Sequence, residues 1–173
     1  MITVDFARLP VKAGDRILDI GCGSGRHTCA AYCLEGVRVT GADLSLEDLQ
    51  QARQRLAFHD QLGDHGGGAW SLSAADGTRM PFPEETFDVV FHQGLMEHFR
   101  DPNPLLDDNR RVLRPGGHVV IETSGLLNYT VDGDLWELDE QGTTAVAALP
   151  ASFRLLGNHP NPFNPATSVR FTS

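Results

Sequence analysis

The chain has 173 residues, and 23 acids against 14 lysines and arginines leave a formal charge of −9. That balance opposes the counterion release that drives binding to a phosphate backbone, and no basic run stands out, so nucleic acid is not expected as a partner. No apolar stretch approaches the roughly twenty residues that span a bilayer, and residues 1–6 carry an acid where a signal peptide would be apolar, so a cytoplasmic protein without a membrane partner is expected.

The first strand is predicted at Ile17-Leu18-Asp19-Ile20, a short apolar run that carries one acid and breaks into Gly21-Cys22-Gly23-Ser24-Gly25. Glycines directly after a buried parallel strand let the backbone turn tightly and approach a ligand where any Cβ would collide. Arg26 to Glu35 reads as the helix that leaves this loop. The third glycine comes one position early for the dinucleotide fingerprint, with Arg26 in the expected slot, which weakens a nicotinamide reading. Asp19 suits a ligand that carries an amino group or a sulfonium better than it suits a pyrophosphate.

Val37 to Ala42 is predicted as a second strand ending in Asp43, about twenty residues beyond the first glycine, where a Rossmann-like unit sets an acid against ribose hydroxyls. Ser45 and Asp48 form a capping box, and Leu46, Leu49, Ala52 and Leu56 recur at helical steps. They predict an amphipathic helix over 46 to about 60, ended by the glycine-rich stretch 63–68. Further strands are expected near residues 71, 87 and 118. Asp101-Pro102-Asn103-Pro104 opens another helix that buries Leu105, Leu106, Val112 and Leu113, with Pro115-Gly116-Gly117 as its stop.

Five segments in order resemble the Rossmann-like S-adenosylmethionine-dependent methyltransferases, over about residues 10 to 125. They are Asp19 to Gly25, Gly41-Ala42-Asp43-Leu44-Ser45, Ala74 to Gly77 with Met80 to Pro83, Phe87 to Phe91 running into His92 to His98, and Leu113 to Gly117 with His118 to Thr123. The resemblance implies an α/β fold, a doubly wound, mostly parallel sheet with helices on both faces. It implies S-adenosyl-L-methionine as cofactor, approached by the loop of Gly21, Cys22, Gly23 and Gly25, with Asp19 as a further contact. It sets Asp43 on the ribose, Leu44 on the adenine ring, Asp76 beside Ala75 on the adenine amino group, and Gln93 in the segment that runs out over the cofactor.

Such a cofactor is already an activated electrophile, so methyl transfer requires orientation and exclusion of water rather than a catalytic triad. No catalytic residue is assigned. His98 is the positional candidate for a base, and a hydrogen-bonded structural role is its alternative. Arg26 is either a contact to the methionine carboxylate or a solvated first-turn arginine. A metal is not expected, because the acid that a metal-assisted subset would need upstream of Glu97 and His98 falls near Gly94. The thiols of Cys22, Cys29 and Cys33 read as small buried groups, since no second cysteine or histidine pair completes a zinc site.

The resemblance fails after Ser124, where no clear helical period follows, so the sheet is expected to be truncated after its fifth strand. Residues 1–127 form the predicted domain, 128–152 a linker and 153–173 an irregular tail. Phe153 to Thr167 repeats Asn-Pro, which forces turns and bars a helix. It resembles the opening of the C-terminal β-sandwich sorting domains of bacterial exported proteins, with a strand expected at Ser168 to Thr172. The leading expectation is a methyltransferase acting on a small-molecule acceptor. Its alternatives are a cofactor-binding remnant, a surface-sorted non-enzymatic protein and a nicotinamide-dependent reductase. The reductase is disfavoured, because Lys12 is the sole lysine and cannot pair with Tyr32 or Tyr129 in a Tyr-x-x-x-Lys motif.

Overall fold

A computed structural model describes Val4, Phe6, Leu9, residues 11–123 and short strand segments at 128–131, 134–135, 145–147, 158–159 and 167–168. The apolar runs form strands β1 (Arg16–Ile20), β2 (Arg38–Asp43), β3 (Ala69–Ala74), β4 (Phe87–Gln93) and β5 (Leu113–Thr123). They lie parallel in the order β5-β4-β1-β2-β3, with Ile17 opposite both Val39 and Val89. The chain winds outward from β1 to β3 and then crosses back to β4. A crevice therefore opens at the carboxyl ends of β1 and β4, the topological switch point where open α/β sheets bind ligands.

Alternation along the strands divides the core between two faces. Leu18, Ile20, Val90, Val119 and Ile121 pack with Leu105, Leu106 and Val112 of helix α3 (Asn103–Val112). Ile17, Val39, Val89, Phe91 and Val120 pack with Cys29, Ala31 and Tyr32 of helix α1 (Arg26–Tyr32) and with Leu56 of helix α2 (Leu46–Leu62). Helices thus cover both faces, as the resemblance implies.

Several boundaries differ from expectation. Helix α1 stops at Tyr32 and Cys33 caps it, so Cys33 is exposed while Cys22 and Cys29 are buried. In α2 the Ser45 hydroxyl accepts from Asp48 N at 3.2 Å, as the capping box requires, and Gly63 closes the helix at φ 66°. Leu49, Ala52 and Leu56 are buried, but Leu46 is 66% exposed, because the row that meets the body of the fold begins one turn later. Residues 114–117 form an irregularity within β5 rather than a turn before it, since Phe87 pairs with Leu113 and Val89 with His118.

The parallel sheet ends at β5. Two short segments run antiparallel along its outer edge, Ala145–Ala147 against Val119 to Ile121 and Thr167–Ser168 against Glu122 and Thr123. The stretch expected as a linker therefore supplies an edge strand. Most of the Asn-Pro tail, and residues 169–172 of the strand expected there, lie outside the described residues. Among the described residues, no helix is long and apolar enough to cross a membrane.

Candidate functional site

The chain leaves β1 through Gly21, at φ 69°, and the amides of Gly21 and Cys22 both donate to the Ala42 carbonyl, at 2.8 and 3.0 Å. The glycine loop is thereby held across the end of β2, beside Asp43. One Asp43 carboxylate oxygen accepts from Gly23 N and the other from Ser45 N, each at 2.8 Å. This acid ties the loop to the start of α2, yet each oxygen keeps a second lone-pair direction for a ligand hydroxyl.

A cleft of about 280 Å³ opens here, with Ile20, Gly21, Asp43 and Leu44 on one side and Ala75, Asp76, Gly77 and Thr78 on the other. Leu95 and Phe99 complete the wall. Leu44 is 72% exposed, so the core does not account for it, and it presents an apolar face to whatever enters. Asp76 Oδ1 accepts from Thr78 N at 2.9 Å and from its hydroxyl at 2.8 Å. These bonds, the backbone one foremost, hold its carboxyl below the usual range, so it is ionised, with Oδ2 left for a donor.

Of the expected site residues, Gly21, Asp43, Leu44, Ala75 and Asp76 line this cleft, while Gly23 bonds to its acid. Asp19 lies behind the wall, 3% exposed, and accepts from the Thr28 hydroxyl at 2.5 Å. Gly25 is explained by packing, because a Cβ there would stand 2.8 Å from Ala52 Cβ. Cys22 is buried, and burial first, then the charges of Asp19 and Asp43, push its thiol far up, so it is not a reactive thiol. Gln93 ends β4, half-buried and away from the cleft wall. His98 is exposed in the short 3-10 turn Met96–His98 and is also off the wall, as is the exposed Arg26. His92, fully buried, is held neutral, with burial lowering its pKa to about 4.

Leu95 and Phe99 had no assignment in the sequence. Leu95 presses on the glycine turn, since a Cβ on Gly21 would lie 3.1 Å from its Cδ1. Their spacing across one turn, just after the segment expected to cover the cofactor, is the signal that could have found them. A larger hollow of about 510 Å³ sits at the other end of β4 and β5. It carries Glu84 and Asp107 among Arg110, Arg111 and Arg114, with Arg111 on Asp108 at 2.7 Å and Arg114 paired with Asp88. Its charges are of mixed sign, and it lies away from the switch point, so the smaller cleft is the better site.

A family model described as a methyltransferase domain matches residues 18–121. The chain belongs to the methyltransferase domain family. This methyltransferase domain is 34% identical over 113 residues to the 27-O-demethylrifamycin SV methyltransferase of Amycolatopsis mediterranei, covering 65% of the chain and 40% of that protein. It is 37% identical over 109 residues to the demethylmenaquinone methyltransferase of Clavibacter sepedonicus, covering 63% and 41%. Among solved structures, a Haemonchus contortus phosphoethanolamine N-methyltransferase bound to phosphomonomethylethanolamine and S-adenosylhomocysteine is similar, with TM-score 0.54 and 31% identity, over 70% of this chain and 27% of that one. The chain thus spans less than half the length of each of these three relatives.

Asp19 gives the methyltransferase domain a pH signature. Burial raises its carboxyl from 3.8 to about 7, with the Thr28 hydroxyl opposing and the Asp43 charge adding to the rise. The folded state therefore holds a proton that the unfolded state releases between those values. The stability Asp19 contributes is complete below the lower value and is lost as pH rises toward the upper one. Asp19→Asn keeps an acceptor for Thr28 and removes the charge. Its melting temperature should exceed the parent's at about pH 8 and not at about pH 4; parallel melting curves at both would show that Asp19 titrates normally.

Proposed function

We propose that this domain binds S-adenosyl-L-methionine and transfers its methyl group to a small-molecule acceptor. The observation that carries the reading is the pair of acids Asp43 and Asp76 flanking an exposed Leu44 in the switch-point cleft. Asp43 accepts from the ribose diol, Leu44 packs on the adenine ring, and Asp76 Oδ2 accepts from its exocyclic amine. Gly23 fits the same occupant, since at φ 50° a Cβ on it would meet nothing within 4 Å, which leaves open space on the ligand side of the loop. The cofactor supplies an electrophilic methyl group on a sulfonium. Leu95 and Phe99 keep water from the apolar side of the cleft, and a cation there favours the ionised form of Asp19 behind the loop.

Two relatives are named for demethylrifamycin and demethylmenaquinone, both small organic molecules, which supports an acceptor of that class. The reading is tested by incubating the full chain with methyl-labelled S-adenosylmethionine and a panel of hydroxylated aromatic and polyketide acceptors. Acceptor-dependent release of S-adenosylhomocysteine is expected, and it should vanish in Asp43→Ala. Tight cofactor binding with no transfer to any acceptor would favour a binding remnant instead.

A further inference from the structure

Cys33, His59 and Asp64 meet at the end of the sheet opposite the cleft. Cys33 caps α1, His59 lies in the last turn of α2, and Asp64 follows the glycine that closes α2. Both helices run against the strands, so their carboxyl ends come together beside the starts of β2 and β3. Backbone bonds hold them there. Asp64 N returns to the His59 carbonyl at 3.0 Å, Gly66 N donates to the Tyr32 carbonyl at 3.0 Å, and Gly36 N donates to the Gly66 carbonyl at 2.8 Å. A Cβ on Gly66 would fall 1.8 Å from the Leu34 carbonyl oxygen, which shows how closely this loop is laid on the end of α1.

His59 Nδ1 is 3.9 Å from Cys33 Sγ and 3.2 Å from Asp64 Oδ2, and the three donor atoms lie within 4.8 Å of one another. A tetrahedral zinc ion, with bonds of about 2.3 Å to sulfur and about 2.0–2.2 Å to nitrogen and oxygen, sets sulfur and nitrogen about 3.6 Å apart and nitrogen and oxygen about 3.4 Å apart. Small side-chain rotations on a fixed backbone therefore suffice to seat a cation. We propose that Cys33, His59 and Asp64 bind a zinc-class divalent cation, with solvent as the fourth ligand. One thiolate, one imidazole and one carboxylate favour a borderline metal over magnesium or calcium, which prefer oxygen throughout.

In the metal-free geometry, the Cys33 thiol and His59 Nδ1 both face the Asp64 carbonyl, at 3.5 and 2.9 Å. On binding, the thiol proton passes to solvent, and Nδ1 offers its lone pair while the ring proton rests on Nε2. The ion pins the ends of α1 and α2 to each other and stabilises the fold by mass action. The ligands stand 26 and 5 positions apart, from cap, helix and loop, so no zinc spacing is visible in the sequence.

Cobalt(II) titration of the reduced, metal-free full chain tests the site. One equivalent should produce tetrahedral ligand-field bands and a thiolate-to-cobalt charge-transfer band, both removed by zinc. Cys33→Ser should abolish the charge-transfer band. In competition with a chromophoric chelator, His59→Gln and Asp64→Asn should each weaken zinc binding at least about tenfold, and His65→Gln should leave it unchanged. Circular dichroism of each variant confirms that these surface substitutions fold. Absence of the charge-transfer band, its survival in Cys33→Ser, or affinity indifferent to the substitutions would overturn the site.

Discussion

Gly25→Ala should lower the melting temperature by on the order of 10 °C, the largest loss expected from a single methyl group in this fold. The new Cβ would stand 2.8 Å from Ala52 Cβ and 3.0 Å from Ala52 Cα, where α2 crosses the start of α1. Backbone lies on the far side of the contact, so no flexible side chain can yield. The residue also sits at φ 80°, where a Cβ costs about 1–2 kcal/mol before any collision. Overpacking adds about 1–3 kcal/mol, which together removes a large part of a typical stability of about 5–15 kcal/mol. Ala52→Gly in the same chain should recover the steric share and not the backbone share, at a cost of about 1 kcal/mol in helix propensity. Thermal melts of the two single variants and the double variant check this, and independent, additive effects would show that the contact does not decide the packing.

Asp43→Ala should have the largest effect on the ligand. It removes the proposed ribose contact and also the acceptor that holds Gly23 N and Ser45 N, so the loop loses its anchor along with its ligand. A charge-assisted contact of about 1–3 kcal/mol corresponds to roughly 5- to 150-fold in affinity for S-adenosylhomocysteine, and the freed loop adds to that. Asp43→Asn retains one acceptor oxygen and should fall between. Gly23→Val is the useful companion, because the fold offers its Cβ open space and the loss should appear in binding more than in packing. Titration calorimetry and melts on all three variants separate the two effects. Affinity within about twofold of the parent in Asp43→Ala would remove this acid from the site.

The strands of the parallel sheet and the acids at their carboxyl ends were legible because each is an apolar run with a polar stop, and strand register hardly alters where the stop falls. Asp43, Leu44, Ala75 and Asp76 all follow from that pattern and all reach the cleft. Gly25 shows the limit. A glycine needed by a ligand and one needed by a crossing helix leave the same mark in a sequence, and only the position of Ala52 distinguishes them. Asp19 was legible as an acid beside the loop but not as a buried one, since its depth depends on Thr28 and α1 closing over it. Leu95 and Phe99 come from an irregular turn whose direction no periodicity encodes. The edge segment Ala145–Ala147 is three small residues, too short for alternation to register, and its pairing partner lies far back in the chain.

The most direct test of the central claim is a calorimetric titration of the full chain with S-adenosylhomocysteine, with NADH as the comparison and circular dichroism to show that the protein is folded. Micromolar binding of S-adenosylhomocysteine, none of NADH, and loss of the heat in Asp43→Ala are expected. A folded chain that takes up NADH instead, or gives no heat with S-adenosylhomocysteine, would contradict the assignment of this cleft.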